Sequence, residues 1–383
     1  MSRIRTTHLV TGLVQGGAET MLARLLSRLD RERFDCEAIC LGESGPMADV
    51  IRATGVPLTI LGMRRGRPSV GAFYRLAAEL RRFRPHVLQT WLYHADLAGL
   101  VAGRATSVPA IVWNVRAADM DMRQYSATSA LTVKACARWS HKPTAIVVNS
   151  EAGRHHHERL GYRPRRWILI RNGIDTSVFR PDHAARAAFR GELQIAAGTI
   201  LIGLIGRFDP MKDHEGFLRA AAIVARAHDN VHFVMAGTGV DGQNAVLTNL
   251  IRDLNLDNKV HLLGNRTDMP KLTAALDMAV SSSISEGFSN VLLEAMASGV
   301  ACIATDVGDS RHIIGNTGVM VPPRDSASLA AALGRRIAAG PEVRAAAGRL
   351  ARARVLAEFD LTVVVQRYEQ LYASLAEERV CAA

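Results

Sequence analysis

Two glutamates with seven residues between them, Glu286 and Glu294, stand at the start of a helical stretch in SSSISEGFSNVLLEAMASGVACIAT, residues 281–305. Ser281, Ser282 and Ser283 end the apolar run Met278-Ala279-Val280, as where a parallel strand opens into a ligand site. Ser289 and Asn290 are N-cap residues, and the sequence after them is helix-prone as far as Gly299. A cluster of backbone N–H groups and the positive end of a helix dipole thus lie between two carboxylates. The amides suit a phosphate and the carboxylates suit hydroxyl groups, so a ligand with a phosphate between hydroxylated parts fits the pattern. The plain alternative is two solvated glutamates around an ordinary helix start.

A second group supplies cations. In GRFDPMKDH (206–214), after a strongly apolar strand, Arg207 and Lys212 stand five apart in a loop with Pro210. Folded over one pyrophosphate, they would neutralise charge on a departing group; otherwise they are two unrelated cations in an exposed loop. Near the N-terminus, Gly16 and Gly17 precede a helix start and let backbone approach a ligand closely. Gly237, Gly239 and Gly242 have G-x-G-x-x-G spacing, but not after the first strand of a domain, and no clear acid ends the next strand, so a dinucleotide site is not expected. Asp119-Met120-Asp121 reads as loop, and His155, His156 and His157 are consecutive and diverge on a helix; no metal site is expected.

Repeated strand-then-helix alternation must position these groups, and it argues for parallel sheets with covered faces. At 383 residues the chain suggests two domains, divided at 1–180 and 181–360, with a closing helix at 361–383. RNGIDTSVFRPDHAARAAFRGEL reads as a turn and short helix linking them. No apolar run approaches the roughly 20 residues that span a bilayer, and the start does not read as an export signal. Five cysteines without a C-x-x-C pair imply a reducing, cytoplasmic setting. The net charge of +11 is uneven: residues 1–180 hold 27 Lys/Arg against 14 Asp/Glu, and residues 181–383 hold 20 against 22. The basic half, with Arg64, Arg65, Arg67, Arg81, Arg82 and Arg84, suits an anionic membrane surface or an acidic substrate. No nucleic-acid motif accompanies the charge, so nucleic acid is not an expected partner. A solvated arginine-rich surface is the plain alternative.

Taken together, the GGAE loop, VVNSEAG, RNGIDTSVF, GRFDPMKDH, MAGTG, LLGNRTD and the glutamate pair resemble the retaining, GT-B-fold glycosyltransferases of family 4 over nearly the whole chain. The resemblance implies two Rossmann-like domains facing across a cleft, with the C-terminal helix returning to the N-terminal domain. It assigns Glu286 to the donor sugar, Glu294 to the nucleotide ribose, and Arg207 and Lys212 to the donor diphosphate. Gly16, Gly17, Gly287, Phe288, Ser289, Asn290 and Val291 complete the implied donor contacts. His94 is implied near the reaction centre, and Asp96 and Arg116 on the acceptor side. The implied reaction moves a hexose or N-acetylhexosamine from a nucleotide sugar, UDP by family frequency, to a glycan or lipid-linked glycan, without a metal or other cofactor. A GT-B epimerase and a non-catalytic nucleotide-sugar-binding partner are the alternatives.

Overall fold

The computed structural model describes residues 3–14, 16–64, 69–117 and 126–380, with side chains through Glu378. The chain forms two compact units, 1–173 with 361–383, and 174–360. The division thus falls at Gly173, where the sequence reading placed it near 180, and the closing helix Leu361–Val380 belongs to the first unit.

Unit 1 is built on seven parallel strands: β1 (Ile4–Val10), β2 (Phe34–Cys40), β3 (Leu58–Ile60), β4 (Val87–Trp91), β5 (Ala110–Val115), β6 (Ala145–Val148) and β7 (Trp167–Leu169). Their order is β3-β2-β1-β4-β5-β6-β7. Side chains alternate along each strand, so the sheet feeds two cores. Leu9, Ile39 and Leu88 face one core with Leu76 and Ala95. Val10, Ala38, Val87 and Trp91 face the other with Leu22, Leu25 and Ile51. The closing helix completes that second core with Val364, Tyr368, Leu371 and Tyr372. The helix Ala127–Trp139 is absent from the sequence reading; only Val133 and Cys136 of it are buried, which leaves no strong apolar stripe to detect.

Unit 2 carries six parallel strands: β8 (Ile200–Ile205), β9 (Val231–Ala236), β10 (Val260–Leu262), β11 (Met278–Ser281), β12 (Ala301–Thr305) and β13 (Val319–Val321). The order is β10-β9-β8-β11-β12-β13. The expected linker helix is a packed part of this unit, His183–Glu192. Its Arg186 and Arg190 both bond Asp277, at 2.7 and 3.2 Å, and that carboxylate accepts the Leu201 amide at 2.8 Å. In both sheets the strand order reverses beside the first strand, between β1 and β4 and between β8 and β11. Ligands to open parallel sheets sit at the carboxyl ends of strands flanking such a reversal. Arg207 and the serines 281–283 lie there in unit 2, and Gly16, Gly17 and His94 follow the corresponding strands in unit 1.

Two histidines make unit 1 acid-sensitive. His8 on β1 is fully buried, accepts from Trp91 Nε1 at 3.4 Å and meets the Tyr372 ring edge-on. Burial pushes its pKa down to about 3, with Arg31 adding to the effect, and burial likewise pushes His157 to about 4. Unfolded histidine titrates near 6.5, so this stability is complete above that pH and is lost as pH falls toward the folded values. From pH 7 to pH 5 each histidine should cost unit 1 about 2 kcal/mol. All four tryptophans lie in unit 1, so tryptophan fluorescence in urea reports it selectively. Measured as a difference from wild type, His8→Gln should lose about 2 kcal/mol less between pH 7 and pH 5; an unchanged slope would contradict this account.

Candidate functional site

The loops after β8 and β11 are joined by one ion pair. Lys212 Nζ donates to Glu286 Oε1 at 2.7 Å, and the Ser283 hydroxyl donates to Oε2 of the same carboxylate at 3.0 Å. The loops are stitched further by the Ser282 hydroxyl to the Lys212 carbonyl and by the Ile284 amide to the Met211 carbonyl, both 2.8 Å. Thr305, at the end of β12, donates from its hydroxyl to the Ser283 carbonyl at 2.5 Å. Lys212 closes a short 3₁₀ turn, Pro210–Lys212, begun by Asp209 accepting from the Met211 amide. Burial lifts the Asp209 carboxyl, but the Met211 amide, Arg207 and Lys212 outweigh it and hold it below the usual carboxylate range. Arg207 pairs with Asp209 at 2.8 Å yet remains 72% exposed, so its guanidinium is open to solvent.

Beyond Glu286 the chain runs through Gly287, buried Phe288 and buried Ser289 into the helix Asn290–Ala297. Ser289 occupies the N-cap position but its side chain makes no capping hydrogen bond. The first amides of this helix, at Asn290 and Val291, are thus not capped from that position, and the dipole's positive end lies at the loop that carries Glu286. Glu294 is half-buried in the same helix.

Close backbone contacts fix both loops. A Cβ on Gly308 would lie 1.9 Å from the Glu286 carbonyl oxygen, and one on Gly237 would lie 2.2 Å from the Gly206 carbonyl oxygen. The glycine-rich AGTGVDG turn therefore presses against the Arg207 loop, and its first glycine answers to packing there. His214, which the sequence reading did not single out, is buried under the same loop. Its Nε2 lies 3.3 Å from the Gly206 carbonyl and its ring packs on Phe208. Burial lowers its pKa, and a carbonyl can only accept, so a hydrogen bond at this contact requires the Nε2–H tautomer. The signal was its place next to the helix cap Asp213, but a lone histidine there has no distinguishing spacing.

In unit 1, His94 is exposed in the first turn of the helix Tyr93–Ala105. The residue before that helix, Leu92, has φ 72° and ψ 157°, a region essentially reserved for glycine. Such strain costs of order 1–3 kcal/mol and clusters at functional sites. Gly16 caps the helix Gly17–Arg28 in extended conformation, and a Cβ there would meet Glu19 Oε2 at 2.6 Å. Glu19 is buried over this helix start, and burial raises its pKa.

Two acceptor-side expectations are corrected or narrowed. Asp96 is fully buried, 2.5 Å from the Thr90 hydroxyl, with its pKa raised well above the carboxylate range by burial. It is a core residue: the helix turns it toward β4, away from solvent. Arg116 is half-buried over the Trp91 ring and bonds Asn114 and Asn172. It ties strand ends together and is only partly open to solvent. Asp119, Met120 and Asp121, and Arg65 and Arg67, lie outside the described residues. Among the described residues no three His, Cys, Asp or Glu side chains are grouped to hold a metal. His157 is occupied by Tyr93 and the Gly153 carbonyl, at 2.9 and 2.7 Å.

Residues 15–178 match the family described as Glycosyltransferase Family 4, and residues 199–338 match Glycosyl transferases group 1. The chain is 25% identical over 335 residues, 82% of each protein, to the Escherichia coli UDP-Gal:alpha-D-GlcNAc-diphosphoundecaprenol alpha-1,3-galactosyltransferase. It is 32% identical over 191 residues to the D-inositol 3-phosphate glycosyltransferase of Saccharomonospora viridis, 47% of this chain and 44% of that one. Its fold is that of Anabaena HepE, crystallised with UDP and glucose, at a TM-score of 0.82 and 20% identity over 97% of this chain and 100% of that one.

The glycine contacts separate two substitutions of equal size. Gly308 has φ +55°, so Gly308→Ala adds left-handed strain to a backbone clash and should cost about 2–4 kcal/mol. Gly242→Ala, with nothing within 4 Å of the new carbon, should stay within about 0.5 kcal/mol of wild type. Thermal unfolding of unit 2 measures both; equal midpoints would show that the Glu286 loop is not pinned by Gly308.

Proposed function

Because this chain belongs to the group 1 glycosyltransferases of family 4, we propose that it transfers a hexose or N-acetylhexosamine from a UDP-sugar to a glycan or lipid-linked glycan in cell-surface polysaccharide assembly. The reading includes retention at the anomeric carbon and no requirement for a metal. The observation that carries it is the Lys212–Glu286 pair, set in the loop that enters the helix bearing Glu294. Lys212 and the exposed Arg207 are assigned to the diphosphate, with the helix amides at Asn290 and Val291 supporting them. Gly287, Phe288 and Ser289 shape the loop. Glu286 is assigned to hydroxyls of the sugar and Glu294 to those of the ribose. The assignments of Gly16, Gly17 and His94 rest on the family resemblance. The relatives' names support the donor class: one is a UDP-galactose enzyme, and the Anabaena protein was crystallised with UDP. The acceptors named for the Escherichia coli and Saccharomonospora viridis enzymes differ, so they support no single acceptor.

In this mechanism the bond from C1 to the diphosphate oxygen breaks while the acceptor oxygen bonds C1 on the same face. The acceptor proton passes to an oxygen of the leaving diphosphate. Lys212 and Arg207 stabilise the charge that develops on that group, and positioning supplies much of the remainder.

Lys212→Ala should lower kcat/KM about 100-fold or more in a correctly folded protein. Glu294→Ala should weaken free UDP, whereas Glu286→Ala should spare UDP and weaken the intact UDP-sugar. A charge-assisted hydrogen bond of roughly 1.5–3 kcal/mol makes either loss measurable by calorimetry. Equal weakening of bare UDP by both variants would sink the division of roles. Turnover should persist in EDTA, and NMR of the first product should show the donor's anomeric configuration; an inverted product would refute retention.

A further inference from the structure

One face of unit 1 combines positive charge with exposed apolar side chains. The helices Val70–Phe83, Tyr93–Ala105 and Ala127–Trp139 cover the same side of the sheet, packed through Leu76, Leu80, Ala95, Leu100 and Cys136. The Cys136 thiol, 3.4 Å from the Tyr93 carbonyl, joins the last two. These helices carry six cations, Arg75, Arg81, Arg82, Arg104, Lys134 and Arg138, against two acids. Of the acids, Asp96 is buried and Glu79 pairs with Arg82 at 2.8 Å. The helices on the opposite side, Gly17–Arg28, Met47–Arg52 and Leu361–Val380, hold five cations and five acids. The excess charge therefore has a direction.

Apolar groups stand out of this same layer. Tyr74 is 68% exposed, Leu131 67% and Trp139 41%, with Val70 and Val101 also exposed. On the helix Ala127–Trp139, Leu131 stands one and two turns before Lys134 and Arg138 on the same exposed stripe, with no acid in the helix. A solvated salt-bridged face would alternate charge sign; a nucleic-acid face would offer phosphate partners without protruding aliphatic residues. Aromatic and aliphatic side chains interspersed with lysine and arginine instead match the headgroup region, where rings and alkyl groups enter the interface and cations meet anionic lipid. No described helix is long and apolar enough to cross a membrane.

We propose that the outer surface of these three helices docks unit 1 onto an anionic bilayer, with Leu131 and Trp139 entering the headgroup layer. None of the residues substituted below is among those assigned to the donor or the reaction centre, so UDP affinity serves as an independent control on every variant. The full chain should co-sediment with vesicles of about 30% phosphatidylglycerol in phosphatidylcholine, fail to do so with phosphatidylcholine alone, and be released as salt rises from about 0.1 to 1 M.

Each well-placed cation contributes about fivefold to binding, so Lys134→Glu with Arg138→Glu should lower vesicle affinity at least tenfold. Arg28→Glu with Arg52→Glu, on the opposite side, should leave it within about twofold. Trp91 and Trp113 are fully buried and Trp167 is half-buried beside the His157 ring, so a blue shift of tryptophan emission on anionic vesicles should shrink in Trp139→Phe and persist in Trp167→Phe. Unchanged UDP affinity and thermal midpoint establish that the variants are folded. Equal losses in the two double variants, equal binding to neutral vesicles, absence of the blue shift, or tighter binding to single-stranded DNA than to anionic vesicles would each overturn the proposal.

Discussion

The arrangement in unit 2 depends on a carboxylate held from two strands at once. Glu286 receives Lys212 from the loop after β8 and Ser283 from the loop after β11, and Ser283 is in turn held by Thr305 of β12. A half-buried ion pair offsets its desolvation only when its geometry is good and its remaining lone pairs are satisfied. Both oxygens of Glu286 meet that condition. This pair is electrically neutral, as is the more exposed Arg207–Asp209 pair, so the field that favours an anion comes chiefly from the helix start beyond Ser289. In the donor complex proposed above, whatever draws the Lys212 ammonium toward a phosphate would loosen its hold on Glu286, the carboxylate assigned to the sugar.

Much of this was legible in the sequence because the local signals agreed with one another. The serine run, the N-cap residues and the glycine stop placed the helix that begins at Asn290, and apolar strands alternating with helices placed two parallel sheets. The strand-end position of Arg207 and Lys212 followed from the same alternation. What was not legible depends on contacts across long stretches of chain. No spacing announces that Gly308 closes on the Glu286 carbonyl, or that Gly237 closes on Gly206. Asp96 misled for a similar reason: its number places it in the first turn of an opening helix, but the face it occupies is decided by how that helix rolls onto β4. Arg190 was lost in an apparent linker because its partner, Asp277, lies 87 residues away.

The strained and desolvated groups are not spread evenly. Leu92 takes a glycine-like backbone two residues before His94, and His214 is buried beneath the Arg207 loop. Each sits at the carboxyl end of a strand beside a reversal in sheet order. Their cost is sustained by the apolar layers below, where Val10, Val87 and Trp91 in one unit and Ile202, Leu204 and Phe217 in the other are fully or nearly fully buried.

The return of Leu361–Val380 to unit 1 has a consequence for how the molecule is made. Unit 2 is an insertion, its ends joined where the Ile174 amide donates to the Phe359 carbonyl at 2.9 Å. A ribosome finishes residues 1–173 and then needs about 10–40 s for the next 187 before the last helix emerges. During that interval the apolar positions that Tyr368, Leu371 and Tyr372 will cover remain open on the nascent first unit. The inserted unit has all of its own strands before then and can close first. Order of synthesis and order of completion are therefore reversed, and a chain cut short near its end leaves the earlier-made half as the one exposed to aggregation and proteolysis.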